Sequence, residues 1–209
     1  MNTTELMQLS PVIPVIVIDD ESHAVPMARA LVAGGIRVLE VTLRTPSALA
    51  AIRNISREVP DAIVGAGTVL NPEHFLAAAE AGAQFVVSPG LTPALAAAAK
   101  SSGIALLPGA VTPSEIMLAM ELGFNNLKFF PAQQSGGAAM LKALHGPFSY
   151  TKFCPTGGIS LETAAEYLAL ENVACIGGSW LTPKALMQKQ DWAGIQQLAE
   201  QAVTLLRKK

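Results

Sequence analysis

Ile63-Val64-Gly65-Ala66-Gly67-Thr68-Val69-Leu70-Asn71-Pro72-Glu73-His74-Phe75-Leu76-Ala77-Ala78-Ala79-Glu80-Ala81-Gly82 contains one complete β/α unit. Ile63 to Val69 is an apolar run of strand length. Asn71 follows with a side-chain oxygen able to accept from an orphan N–H in the first turn of a helix, and Pro72 supplies a preset φ where its missing donor costs nothing. The alanine-rich stretch behind them is amphipathic, and Gly82 can take the left-handed conformation that ends it.

The same punctuation recurs at Thr45-Pro46, Thr92-Pro93, Thr112-Pro113 and Thr182-Pro183, with further helix ends at Gly103 and Gly123. Seven more apolar runs lie between the helices: Val12 to Ile18, Val38 to Leu43, Phe85 to Ser88, Ile104 to Leu107, Asn126 to Phe130, Lys152 to Pro155 and Val173 to Ile176. Near-continuously apolar strands that alternate with helices imply a parallel sheet covered on its faces. Eight units without a linker or composition shift predict an α/β fold, a single-domain (β/α)8 TIM barrel over residues 1–209. An open doubly wound sheet is the alternative.

Composition narrows the class. Of 209 residues 51% are hydrophobic and 14% charged, which excludes a disordered chain. The formal net charge is −2, and no basic cluster precedes Arg207-Lys208-Lys209, read as a solvated helix end. Nucleic acid is therefore not an expected partner. The apolar run from Pro11 to Ile18 is closed by Asp19 and Asp20, far short of the ~20 residues that span a bilayer. With no charged leader and cleavage site before it, a cytoplasmic protein with no membrane partner is expected. Cys154 and Cys175 sit in apolar runs as free thiols. His23, His74 and His145 are scattered over helical segments with no coordinating spacing, so no metal is expected; His23 and His74 read as solvated first-turn residues.

In a barrel, chemistry gathers on the loops at the C-terminal ends of the strands. Lys128, within Leu127-Lys128-Phe129-Phe130-Pro131, is the unusual residue. Burial disfavours an ammonium, and a neutral amine is a nucleophile suited to Schiff-base formation with a ketone. The bland alternative is a lysine whose stem covers the core while its head reaches water. Glu40, between Leu39 and Val41, is the candidate proton shuttle, unless it is a structural partner of Arg44. Glu40, Thr42 and Arg44 fall at i, i+2, i+4 and should share one strand face. Arg44 offers a planar fork for a carboxylate and Thr68 a hydroxyl beside it, which suits an α-keto acid; a surface arginine before Pro46 is the alternative. Thr156-Gly157-Gly158 and Gly177-Gly178-Ser179 close the last two strands, where bare backbone N–H groups commonly hold phosphate.

The runs Val41-Thr42-Leu43-Arg44-Thr45, Val64 to Val69, Lys128-Phe129-Phe130-Pro131-Ala132, Phe153 to Ile159 and Cys175 to Trp180 resemble the bacterial 2-keto-3-deoxy-6-phosphogluconate (KDPG) and 4-hydroxy-2-oxoglutarate (KHG) aldolases. The resemblance covers nearly the whole chain. It implies Lys128 as the Schiff-base lysine, Glu40 as general acid/base, and Arg44 with Thr68 as the pyruvyl carboxylate site. Pro89 and Phe130 would line the pocket, and Thr156, Gly157, Gly158, Gly178 and Ser179 would surround the distal hydroxyls and phosphate. It further implies a metal-independent homotrimer without cofactor that cleaves KDPG to pyruvate and glyceraldehyde 3-phosphate in the Entner-Doudoroff pathway, with a side activity on 4-hydroxy-2-oxoglutarate. A 2-dehydro-3-deoxy-6-phosphogalactonate aldolase would need the same residues. A non-catalytic phosphosugar-binding barrel and a lysine-independent epimerase are the rivals from other classes. Gln133-Gln134-Ser135, where the family often carries an acidic residue, and the loop Gly109 to Pro113 depart from the pattern.

Overall fold

The computed structural model describes residues 1–206; the terminal Arg207-Lys208-Lys209 segment lies outside the described residues. Among those described, eight strands occur: β1 (Val12–Ile16), β2 (Val38–Thr42), β3 (Ile63–Gly67), β4 (Phe85–Val87), β5 (Ala105–Leu107), β6 (Asn126–Phe129), β7 (Lys152–Pro155) and β8 (Ile176–Gly178). Each is followed by a helix, in order α2 (Ala24–Ala33), α3 (Ala48–Glu58), α4 (Pro72–Glu80), α5 (Pro93–Ser102), α6 (Pro113–Glu121), α7 (Gly137–His145), α8 (Leu161–Leu168) and α9 (Lys184–Lys189). Two further helices, α1 (Thr3–Leu9) before β1 and α10 (Trp192–Leu206) at the end, stand outside the eightfold pattern.

Helix starts follow the capping chemistry at three of five expected places. The Asn71 side chain accepts from His74 N–H at 2.8 Å and the Thr92 hydroxyl from Leu95 N–H at 3.2 Å. Thr112 and Glu115 form a reciprocal capping box. Thr45 does not cap: its hydroxyl donates to the Ile18 carbonyl at 2.5 Å, tying the loop after β2 to the loop after β1, and α3 starts only at Ala48. At α9 Pro183 itself is the cap residue and no side chain bonds there. Gly82, Gly103 and Gly123 all have positive φ at helix ends.

The ladders are all parallel and form a six-stranded sheet, ordered β5-β4-β3-β2-β1-β8, and a two-stranded sheet of β6 and β7. Isolated parallel bridges connect the two: Gly109 with Lys128 on one side, and Phe153 with Val173 and Thr156 with Gly177 on the other. The eighth strand differs from expectation. It runs over Ile176–Gly178, the residues that pair with Val12, Ile13 and Pro14 of β1, whereas Val173 makes only an isolated bridge to Phe153.

Strand parity divides the core in two. Leu39, Val41, Leu127 and Phe129 pack outward with the helices, whereas Val38, Ile13, Phe85, Val87, Leu107, Cys154 and Cys175 form an inner cluster with Leu6 and Met7 of α1. Asn126 at the start of β6 donates to the hydroxyls of Thr3 and Thr4, so α1 is fastened at the N-terminal end of the strands. The opposite end is left for polar groups.

Candidate active site

Because Leu39 and Val41 face the helices, Glu40 between them faces inward; Lys128, between Leu127 and Phe129, does the same on β6. Both are buried, at 3% exposure each. Lys128 Nζ donates to Glu40 Oε1 at 3.2 Å, closing a buried ion pair. An isolated buried charge is costly, so each group makes the other's burial tolerable. Lys128 Nζ also lies 5.3 Å from the centroid of the half-buried Phe130 ring. Glu40 is thus paired with Lys128 and not, as one reading of the sequence allowed, with Arg44.

Arg44 lies just beyond β2, exposed, and its Nε donates to the Thr68 hydroxyl at 3.0 Å. Thr68 holds φ at +56°, a rare conformation for a β-branched residue and one that costs of the order of 1–3 kcal/mol. Nothing in the sequence marked that strain. Thr42, expected to share the face of Glu40 and Arg44, is fully buried and donates to the Ile16 carbonyl at 2.8 Å, which fastens β2 to β1. Pro89, half-buried on the loop after β4, sets its carbonyl against Gly109, the residue bridged to Lys128.

Thr156 is buried at the end of β7, and its side chain fills the space that a Cβ on Gly177 would need. Gly157 and Gly158 both have positive φ, at +103° and +74°. The room left by Gly158 is taken by the side chain of Gln133, and that left by Gly178 by the ring of Trp180. Ser179 is exposed and lines a cavity of about 460 Å³ together with Val15, Asp20, His23 and Lys184. His23 is half-buried there, edge-on to Trp192 at 5.5 Å between centroids, and His74 is likewise half-buried; neither is the solvated residue the sequence suggested.

Cys154 and Cys175 are free and buried beneath the pair. The neighbouring Cys154 thiol, then burial, then the Glu40 carboxylate push the Cys175 thiol well above its ordinary range. Among the described residues no three His, Cys, Asp or Glu side chains come together as a metal site, and no helix is long and apolar enough to cross a membrane.

The chain has matches among known proteins. The KDPG and KHG aldolase family model matches residues 3–198. The chain belongs to the KDPG and KHG aldolase family. The KHG/KDPG aldolase of Escherichia coli K12 is 56% identical over 198 residues, 95% of this chain and 93% of that one. A crystal structure of the KDPG aldolase of Legionella pneumophila, with pyruvate captured at low pH as a covalent carbinolamine intermediate, matches with TM-score 0.95 and 48% identity, over 97% of this chain and 98% of that one. The KDPG aldolase of Zymomonas mobilis ZM4 with 3-phosphoglycerate matches with TM-score 0.91 and 49% identity, over 95% and 93%. In this member of the KDPG and KHG aldolase family, the lysine and glutamate that stand out within apolar strand runs are the two that meet.

Proposed function

We propose that this protein is a class I aldolase that cleaves KDPG to pyruvate and glyceraldehyde 3-phosphate, with 4-hydroxy-2-oxoglutarate as a second substrate that presents the same pyruvyl half. The observation that carries the reading is the buried Lys128–Glu40 pair at 3.2 Å, set on the inner face with Lys128 near the end of β6 and Glu40 midway along β2. Across that distance Glu40 can take a proton from the lysine, and the amine attacks the C2 ketone to form a carbinolamine. Glu40 returns the proton to the departing hydroxyl, so that loss of water leaves an iminium and regenerates the carboxylate. Glu40 then accepts the C4 hydroxyl proton, the C3–C4 bond breaks with its electron pair passing to the iminium to give an enamine, and glyceraldehyde 3-phosphate leaves. The enamine takes that proton at C3 and is hydrolysed to pyruvate. Arg44 and Thr68, joined at 3.0 Å, hold the pyruvyl carboxylate, and Pro89 and Phe130 bound the pocket. The carbinolamine captured in the Legionella relative supports this chemistry.

The test is borohydride reduction in the presence of pyruvate. A stable pyruvyl adduct on Lys128, read by peptide mass spectrometry, is the expected result. An adduct on another lysine, or none in an active enzyme, overturns the assignment.

The distal phosphate is assigned to the rim formed by Thr156, Gly157, Gly158, Gly178 and Ser179, supported by the positive φ of the two glycines after β7 and by the exposure of Ser179. A side chain at Gly178 would meet Trp180 before any ligand, so Ser179 is the discriminating position. Ser179→Asp places a carboxylate against the dianion, and kcat/KM for KDPG should fall by about tenfold or more. Turnover of 4-hydroxy-2-oxoglutarate should change far less; equal losses on both substrates would remove phosphate from this rim.

The same reading takes residues 1–209 as one domain and the eight strands as a closed (β/α)8 barrel, supported by the bridges that join the two sheets on both sides. It also takes the protein as a cytoplasmic homotrimer. Exposed Leu70 and Leu118, on one cleft with Leu91, offer apolar surface for another copy.

A further inference from the structure

Gly67 ends β3, beside Thr42 in the ladder and diagonally across from Glu40. A Cβ built on it would fall on the Glu40 side chain: on Oε1, with Cγ at 2.6 Å and the carboxyl carbon at 2.7 Å. No real Cβ tolerates such contacts. The φ of Gly67 lies outside the left-handed region, so an alanine could adopt this backbone. Its three nearest obstacles all belong to one flexible side chain, that of Glu40. The backbone conformation therefore does not call for glycine, and the first group a side chain here would strike is the Glu40 carboxylate.

We propose that Gly67 is a positioning residue for the reaction, the socket that lets the Glu40 carboxylate lie against β3 and reach Lys128. With a methyl group in the socket, Glu40 must rotate away, and the 3.2 Å contact that moves the proton is lost. The fold has no reason to yield, since the far end of a side chain moves more cheaply than a strand. This inference rests on Glu40 being the proton shuttle, and a set of four proteins separates the two ideas: wild type, Gly67→Ala, Glu40→Ala and the double variant.

In Gly67→Ala, kcat for KDPG cleavage should fall by about tenfold or more, on the scale of general acid/base catalysis. The inhibition constant of pyruvate should stay within about threefold, because Arg44 and Thr68 remain; a purely structural lesion would not split in this way. In the Glu40→Ala background the same glycine substitution should cost nothing further in kcat or in Tm, since the atoms it would strike are gone. Equal losses in both backgrounds would overturn the proposal. If Gly67→Ala fails to fold, the double variant decides: it should fold, and its failure would show that the obstacle is not Glu40. If Glu40→Ala alone leaves kcat unchanged, the shuttle reading fails, while the Tm values still report whether the socket exists.

Discussion

Lys128→Met is expected to abolish aldol cleavage, with kcat lower by about 10⁴-fold or more, the order seen when an enzyme loses the nucleophile on which its other groups depend. Methionine keeps most of the length and bulk of the side chain, one atom short of lysine, so the inner face stays largely filled. What it removes, besides the nucleophile, is the partner of a carboxylate that is 3% exposed. Breaking a buried pair from one side leaves the other charge uncompensated, a loss of about 3–5 kcal/mol unless the carboxyl takes up a proton. Urea unfolding should therefore show Lys128→Met less stable than wild type, and adding Glu40→Gln should recover much of the difference. Residual turnover within about tenfold of wild type would place the Schiff base on another lysine or dispense with it.

Glu40→Gln should leave a folded protein that binds pyruvate and turns over about 10²- to 10⁴-fold more slowly, the usual span for a general acid/base. The amide matches the carboxylate in shape and fits the same socket beside Gly67, so it tests charge and proton transfer with little change of packing. Pyruvate affinity, measured by competition, should hold, because the Arg44–Thr68 contact lies apart from the substitution. Near-normal kcat in this variant would move the proton shuttle elsewhere. A fall confined to KM would recast Glu40 as a binding group.

Most of the scaffold was legible because its signals are local. Asn71, Thr92 and Thr112 bond to the helices that follow them, and those bonds span three residues. Residue type did the rest for the site: Glu40 and Lys128 stand out as ionisable side chains within apolar strand runs. The misreadings come from groups whose partners are distant. Thr45 has the sequence of a cap, but its hydroxyl goes to Ile18, 27 residues away. The glycines of β8 look like the loop after a strand, but they belong to the strand because they pair with Ile13 and Pro14 of β1, more than 160 residues away.

The chain by itself thus determined the alternation of strands and helices, the presence of two ionisable side chains within apolar strands and the clustering of polar residues at one end of the strands. Each follows from backbone periodicity and from which groups a short segment can satisfy within itself. Only the tertiary structure decided that Lys128 meets Glu40, 88 residues away, and not water, or that Glu40 pairs with it and not with Arg44. It alone placed a strained Thr68 under the Arg44 guanidinium and left a gap at Gly67 into which the carboxylate fits. A buried charge takes whichever partner the curvature of the sheet brings within reach. That distance is a property of the assembled strands and of no segment alone.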